Sequence, residues 1–322
     1  MTSAIRSAGT TAPGGSWLTT WHESFFKAMG QWPWLSTLND RVSAVTQPVY
    51  DRHRDNLVVE LMHGGRWAGH SLHAALSDLP IGLWAGALVL DVVEEAAGTG
   101  RAPHGGRLDP AATLSAAGLL AAAGTVATGV TDWNVSDGED RKAGLFHGLL
   151  NLAATALQAA ALIARLSGRR RTAGLLGASS FAAVGAAGFV GGHLVQGRAV
   201  MVNRVAANAG PSSWVRALPA ADLPDGGVAG VVVDGRRVLL HRRGDDLHAI
   251  DDVCSHAGAL LSRGEVEGCA VICPLHESKF DLRDGRILRG PAHHAQPVLL
   301  ARARNGWVEV RGSAPRPRRS TT

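Results

Sequence analysis

Two short strings carry the residue types best suited to chemistry: Cys254-Ser255-His256 and, after sixteen intervening residues, Cys273-Pro274-Leu275-His276. Thiolate and imidazole are the side chains that hold soft and borderline metal ions. Two such pairs can seat a two-iron centre in which the thiolates bind one iron and the imidazoles the other. The chemical rival is a single zinc ion in a Cys2His2 tetrahedron. Zinc fingers, however, place two cysteines in the first pair and two histidines in the second. The interleaved order here, C-x-H and then C-x-x-H, favours a [2Fe-2S] cluster. Cys269 is the third cysteine and fits neither pair; it reads as a buried, small apolar residue on a strand. An odd cysteine count confined to one stretch argues for metal ligation over a disulfide framework.

Ligand loops need a rigid frame, and the surrounding sequence supplies short β segments. Residues 228–233, 237–241, 248–250, 270–272, 298–301 and 307–310 are β-branched or alternating runs. Asp234-Gly235, Gly244-Asp245, Asp284-Gly285 and Asn305-Gly306 separate them with hairpin chemistry. The expectation is a small all-β domain over 212–312, with both Cys–His pairs at turns between strands.

Upstream the composition changes. The chain has 322 residues, of which 46% are hydrophobic and only 18% charged. The charge deficit is concentrated between Leu72 and Gln196. Four runs there approach the ~20 apolar residues needed to cross a bilayer: 72–93, 110–131, 146–164 and 172–196. The first is the weakest, interrupted by Asp78 and Asp91. Their Gly, Ala, Ser and Thr content suits close helix packing in lipid. The fold class expected is therefore α and β in separate domains, a four-helix transmembrane bundle followed by the β domain. Residues 1–60 read as a disordered start (1–15) and an amphipathic Trp-rich segment, residues 61–200 as the membrane domain, 201–211 as a linker and 313–322 as a disordered basic tail. In the Trp-rich segment, Trp17, Trp21 and Phe25 share one helix face and Pro33 ends the helix. The start carries no secretory signal. The net charge of +5 comes from scattered arginines beside apolar runs, which fits membrane topology and not nucleic-acid binding.

Four spans return the chain to its starting side. His73, Asp132, His147 and His193 then all lie at the membrane face that carries the β domain. Ionisable groups at such depths are functional candidates, so these four form a possible second site for haem or a quinone. Eight Lys/Arg residues flank the spans on this side and six on the other, a lean toward cytoplasmic termini.

The run Cys273-Pro274-Leu275-His276-Glu277-Ser278-Lys279-Phe280-Asp281, with Gly285 and Gly290-Pro291-Ala292 beyond it, resembles the Rieske iron–sulfur domain. The resemblance implies that Cys254 and Cys273 bind one iron and that His256 and His276 bind the solvent-facing iron. It also implies that the Ser278 hydroxyl bonds a cluster sulfur. Rieske domains of quinol-oxidising complexes join a second cysteine from each ligand loop in a disulfide, and here Ala259 and Leu275 stand at those positions. Phe280 replaces a tyrosine and Glu277 a glycine. All of these departures imply a low potential of the ferredoxin or oxygenase-associated kind. The upstream half is similar to an uncharacterised bacterial four-helix membrane domain, through Gly69-His70-Ser71-Leu72-His73, Leu79-Pro80-Ile81-Gly82 and Gly191-Gly192-His193.

These resemblances imply a membrane-anchored, Rieske-type ferredoxin in the bacterial cell membrane. It would exchange one electron at a time with a reductase, an oxygenase or a respiratory component. The ten residues after Gly312 leave no room for the further domain of a ring-hydroxylating oxygenase. Two alternatives stand beside this: an integral membrane oxidoreductase using the bundle histidines, and a non-enzymatic scaffold or redox sensor.

Overall fold

The computed structural model describes residues 17–97, 109–208 and 210–313. The expectations for residues 1–15, for the arginines at 101 and 107, and for the basic tail lie outside the described residues.

Among the described residues, eight α-helices precede ten strands. Helix α1 spans Trp17–Gly30, α2 Pro33–His53, α3 Leu57–His63 and α4 Gly65–Ala68. Pro33 does end the Trp-rich helix, and it then opens α2 as its first residue, where a missing N–H costs nothing. Helix α2 was not legible as a helix, because its apolar residues are few and Pro48 sits inside it. The aromatic face of α1 packs on a neighbouring helix: Trp21 stacks on Phe189 at 5.3 Å and Phe26 on His193 at 3.5 Å.

The four apolar runs form α5 (Leu72–Ala96), α6 (Pro110–Trp133), α7 (Gly138–Leu166) and α8 (Arg170–Gly192), the last extended by a π-helical turn, His193–Gly197. Each is long and apolar enough to cross a membrane. Side-chain distribution across this bundle is inverted relative to a soluble one. Its interior holds Ala87, Ala122, Ala154, Ala161, Ser115 and Ser180, whereas Leu120 (79% exposed) and Leu175 (72% exposed) point outward. Small residues let backbones approach closely, and large apolar ones face lipid. Gly118 illustrates the approach, since a Cβ there would lie 2.3 Å from the Trp84 indole nitrogen. Asp91, which interrupts the first span, pairs with the buried Arg165 of α7. Arg165 also donates to Ser115 (3.0 Å), so neither charge is left bare.

The β domain has two antiparallel sheets. Strands β1 (Val215–Pro219), β2 (Val228–Val233), β3 (Arg236–Arg243), β4 (Asp246–Asp251), β9 (Val298–Arg304) and β10 (Trp307–Gly312) form the larger, in the order β1-β10-β9-β4-β3-β2. Strands β5 (Glu265–Glu267), β6 (Ala270–Ile272), β7 (Lys279–Asp281) and β8 (Ile287–Arg289) form the smaller in sequence order. Asp234-Gly235 and Asn305-Gly306 take positive φ at both residues, as two-residue hairpins require. Between the sheets lies a core of Leu239, Ile250, Leu261, Val271, Phe280 and Leu282 that also contains Cys254 and Cys273. Residues expected as a linker lie against this domain: Val205 is buried, and the Arg204 N–H donates to the Ser255 carbonyl at 3.0 Å.

The domains touch where α4 meets the loop between β8 and β9. A Cβ on Gly65 would lie 2.3 Å from the Ala292 carbonyl oxygen. Gly65→Ala is therefore expected to push the two domains apart, at a cost of about 1–3 kcal/mol. The check is a lower midpoint of thermal unfolding together with faster proteolysis between residues 200 and 208.

Candidate metal centre

The two ligand loops are built alike. In the first, the Cys254 N–H donates to the Ala259 carbonyl (2.8 Å) and the Gly258 N–H to the Cys254 carbonyl (3.0 Å). In the second, the Cys273 N–H donates to the Ser278 carbonyl (2.8 Å) and the Glu277 N–H to the Cys273 carbonyl (3.0 Å). Gly258 and Glu277 are thus counterparts, each four residues after its cysteine, and both take left-handed backbone, with φ of 83° and 59°. Glycine does this without penalty, whereas glutamate does so at a cost of roughly 1–2 kcal/mol.

These turns bring the four candidate ligands together. Both thiols are buried and hydrogen-bonded to each other. The bond from Cys254 draws the Cys273 thiol down to about 6, while Cys254 is pushed up. Backbone N–H groups of His256 and Ala257 point at the Cys254 sulfur, and those of Leu275 and His276 at the Cys273 sulfur. The two imidazoles present Nδ1 to Nδ1 at 3.2 Å. Two nitrogens each ~2.1 Å from one tetrahedral ion stand about 3.4 Å apart. Burial, followed by the nearby charge of His276, His293 and His63, holds the His256 imidazole well below its ordinary value and so in its neutral, ligating form. Paired thiols and paired Nδ1 atoms fit a cluster with one thiolate-bound and one imidazole-bound iron.

Ser278 is fully buried, and its hydroxyl accepts the Ala292 N–H (3.0 Å), which leaves its own hydrogen to donate. Glu277 is not a lone charge beside the site: it pairs with Arg54, the residue that follows α2, and lies 3.7 Å from Arg289. Cys269 corrects the expectation made for it. It lies in the turn between β5 and β6, only half-buried, and accepts a hydrogen bond from Arg243 (3.0 Å).

Asp137, in the turn between α6 and α7, lies 2.6 Å from His276 Nε2. A carboxylate on the outer nitrogen of a ligand imidazole makes that ligand a stronger electron donor. Asp137 is 61% exposed, so the interaction is screened and worth about 0.2–1 kcal/mol. Asp137→Asn is expected to raise the midpoint potential by about 10–40 mV, the same energy expressed for one electron. Protein-film voltammetry of the full chain would read this shift.

The four polar groups at the end of the bundle do not form one site. His73 and His147 face each other edge to face at 6.2 Å, where Gly129 and Gly191 make room for their rings. The Nδ1–H of His73 donates to the Thr125 carbonyl (2.9 Å). Both nitrogens of His147 are taken, by the Ala187 carbonyl (2.8 Å) and by Asn151 (3.0 Å). His193 stands apart, stacked on Phe26 beside a groove that includes His22 and Arg198. Asp132 turns instead to His63 (3.0 Å) and to the Ser71 hydroxyl (2.5 Å). His63, Tyr50, Asp137 and His293 were missed by sequence reasoning, because their partners are distant in the chain.

Two family models match the chain: the Rieske [2Fe-2S] domain over residues 213–302 and a family described as predicted membrane protein (DUF2231) over residues 69–204. The ferredoxin component of the naphthalene 1,2-dioxygenase system of Pseudomonas aeruginosa is 37% identical over 78 residues, which are 24% of this chain and 75% of that protein. Sulredoxin of Sulfurisphaera tokodaii is 35% identical over 105 residues, 30% of this chain and 96% of its own. Among solved structures, the ferredoxin of carbazole 1,9a-dioxygenase from Nocardioides aromaticivorans IC177 is 30% identical and matches over 32% of this chain and 100% of its own, with a TM-score of 0.30. The chain belongs to the Rieske iron–sulfur family, its [2Fe-2S] domain carried behind a membrane domain of the DUF2231 kind.

Proposed function

We propose that this protein is a membrane-anchored Rieske ferredoxin that moves single electrons between redox partners at the membrane surface. When bound, the cluster supplies the one-electron couple. Cys254, Cys273, His256 and His276 would hold it; the imidazoles, expected to face solvent, are instead turned toward the membrane domain, with His256 buried and His276 Nε2 on Asp137. One observation carries the reading. The outer nitrogen of His276 meets Asp137 of the helical domain at 2.6 Å, so the imidazole edge lies at the junction of the two domains. A cavity of about 190 Å³ lined by Tyr50, His63, His276 and Arg289 opens beside that edge.

The ferredoxin components among the relatives serve dioxygenase systems, and a reductase or an oxygenase is the partner class we assign by that likeness. The bacterial cell membrane is the proposed location, with the Rieske domain on the cytoplasmic side, as the arginine balance leans. Nothing in the arrangement of His73 and His147 favours a haem or a quinone, since His147 has both nitrogens occupied.

The test is a redox titration of the full chain in detergent, followed by electron paramagnetic resonance, with a pull-down from native membranes to identify what co-purifies. Reversible one-electron reduction and a co-purifying flavin, iron or haem protein are expected. A cluster that cannot be reduced reversibly would leave only a structural role and sink the proposal.

A further inference from the structure

A second group of metal-ligating side chains lies where the two domains meet. His63 ends α3, Asp132 sits in the last turn of α6, and His293 comes from the loop between β8 and β9. All three are buried, and one ligand atom from each lies within 4.8 Å of the others. We propose that His63, Asp132 and His293 form a mononuclear binding site for a divalent first-row transition ion, separate from the cluster and assembled only when the two domains dock. The proposal goes beyond the electron-carrier reading and does not depend on it.

The donor set is the first argument. Two imidazoles and one carboxylate are the ligands of three-residue sites for iron(II), and zinc takes the same set. His63 Nδ1 and Asp132 Oδ1 are 3.0 Å apart. Two ligands ~2.1 Å from one ion, at right angles, are separated by about 3.0 Å.

The partners of these side chains are the second argument. Residues that bind metal through one atom usually have their other polar atom held by a neighbour. Here Tyr50 Oη lies 2.9 Å from His63 Nε2. The Ser71 hydroxyl donates to Asp132 Oδ2 at 2.5 Å. Nε2 of His293 is 3.0 Å from the His63 carbonyl, which can only accept, so this nitrogen carries the hydrogen and Nδ1 keeps a lone pair. Each proposed ligand is thus oriented from outside by one neighbour.

Charge is the third argument. Among the described residues, no arginine or lysine pairs with Asp132; its ion-pair partner is His63. Taking a carboxylate out of water is costly unless a cation or several hydrogen bonds compensate it. A divalent ion bound among the three groups would supply such a charge. His63 also lines the cavity that reaches His276.

The test uses the full chain in detergent with its cluster loaded and oxidised, a state with no paramagnetic signal of its own. After a mild chelator wash, Co²⁺ is added as the probe. Bound cobalt is measured per chain by elemental analysis and by its high-spin resonance, and cluster iron is measured in the same sample. The expected result is one Co²⁺ per chain, with affinity falling at least about tenfold in Asp132→Asn and in His293→Gln while the cluster iron is retained. Asp132→Asn keeps a side chain able to bond Ser71, and His293→Gln lies in the other domain, so the two do not share a folding defect. Failure of the parent chain to bind Co²⁺ would overturn the proposal. Equal binding by parent and both variants would overturn it too, leaving an imidazolium–carboxylate pair as the full account of these residues.

Discussion

Replacing Cys254 with serine, or His276 with alanine, is expected to abolish the cluster while leaving the chain inserted in the membrane. Serine is a poor substitute because a hydroxyl does not ionise near neutral pH, and iron needs the thiolate. Alanine at 276 removes one of only two nitrogens available to the outer iron. Neither change touches what holds the bundle together. Helices α5 to α8 pack through Ala, Gly and Ser contacts and through the Asp91–Arg165 pair, all within the membrane domain. The ligand loops close through their own backbone bonds, Cys254 to Ala259 and Cys273 to Ser278. Iron per chain should therefore fall from two to none and the Rieske resonance should vanish, while the protein resists alkaline extraction from membranes as the parent does. Loss of membrane association in either variant would contradict the separation into two folding units.

What could be read from the sequence follows from how far apart interacting residues lie. That the two Cys–His pairs would come together was legible because each pair falls within one short loop, where spacing alone reports geometry. The four spans were legible because length and composition suffice for a helix that must satisfy its backbone within lipid. Strands β1, β5, β7 and β8 were not, since each includes charged residues that interrupt its short apolar stretch, whereas β6, equally short as β5, β7 and β8, is the unbroken apolar Ala-Val-Ile. Helix α2 lacked a continuous apolar stripe. The contacts at the domain junction could not be foreseen from spacing either. His276 meets Asp137 across 139 positions, and His293 meets the His63 carbonyl across 230. Asp132 was singled out as an ionisable group at a span end, yet its partners proved to be His63 and Ser71 and not the bundle histidines. A charge near the membrane can be noticed in a sequence, but its partner is set by the tertiary fold.

Glu277 shows how a partner alters an argument about potential. Read alone, it adds negative charge near the outer iron and favours the oxidised cluster. In the fold it lies between Arg54 and Arg289, so its charge is offset locally and drops out of the expectation. What remains is hydrogen bonding to sulfur.

A donor aimed at a cluster sulfur stabilises the reduced, more negative state and raises the midpoint potential. Phe280 is fully buried in the core beside Cys254 and Cys273 and offers no such donor. Ala259 and Leu275 cannot form the disulfide that braces the loops in quinol-oxidising relatives. The midpoint is therefore expected at or below about −150 mV, the low end of the Rieske range. A hydrogen bond to a charged acceptor contributes ~1.5–3 kcal/mol, and 1.4 kcal/mol corresponds to about 59 mV for one electron. Phe280→Tyr should accordingly raise the midpoint by about 60–130 mV wherever the new hydroxyl reaches sulfur. Ser278→Ala should lower it by a comparable amount, since the Ser278 hydroxyl keeps a hydrogen free after accepting the Ala292 N–H. The two variants shift the potential in opposite directions by one mechanism, so voltammetry of parent, Phe280→Tyr and Ser278→Ala chains tests that mechanism and not only a single value. A parent midpoint well above zero, or shifts of the same sign in both variants, would remove hydrogen bonding to sulfur as the cause.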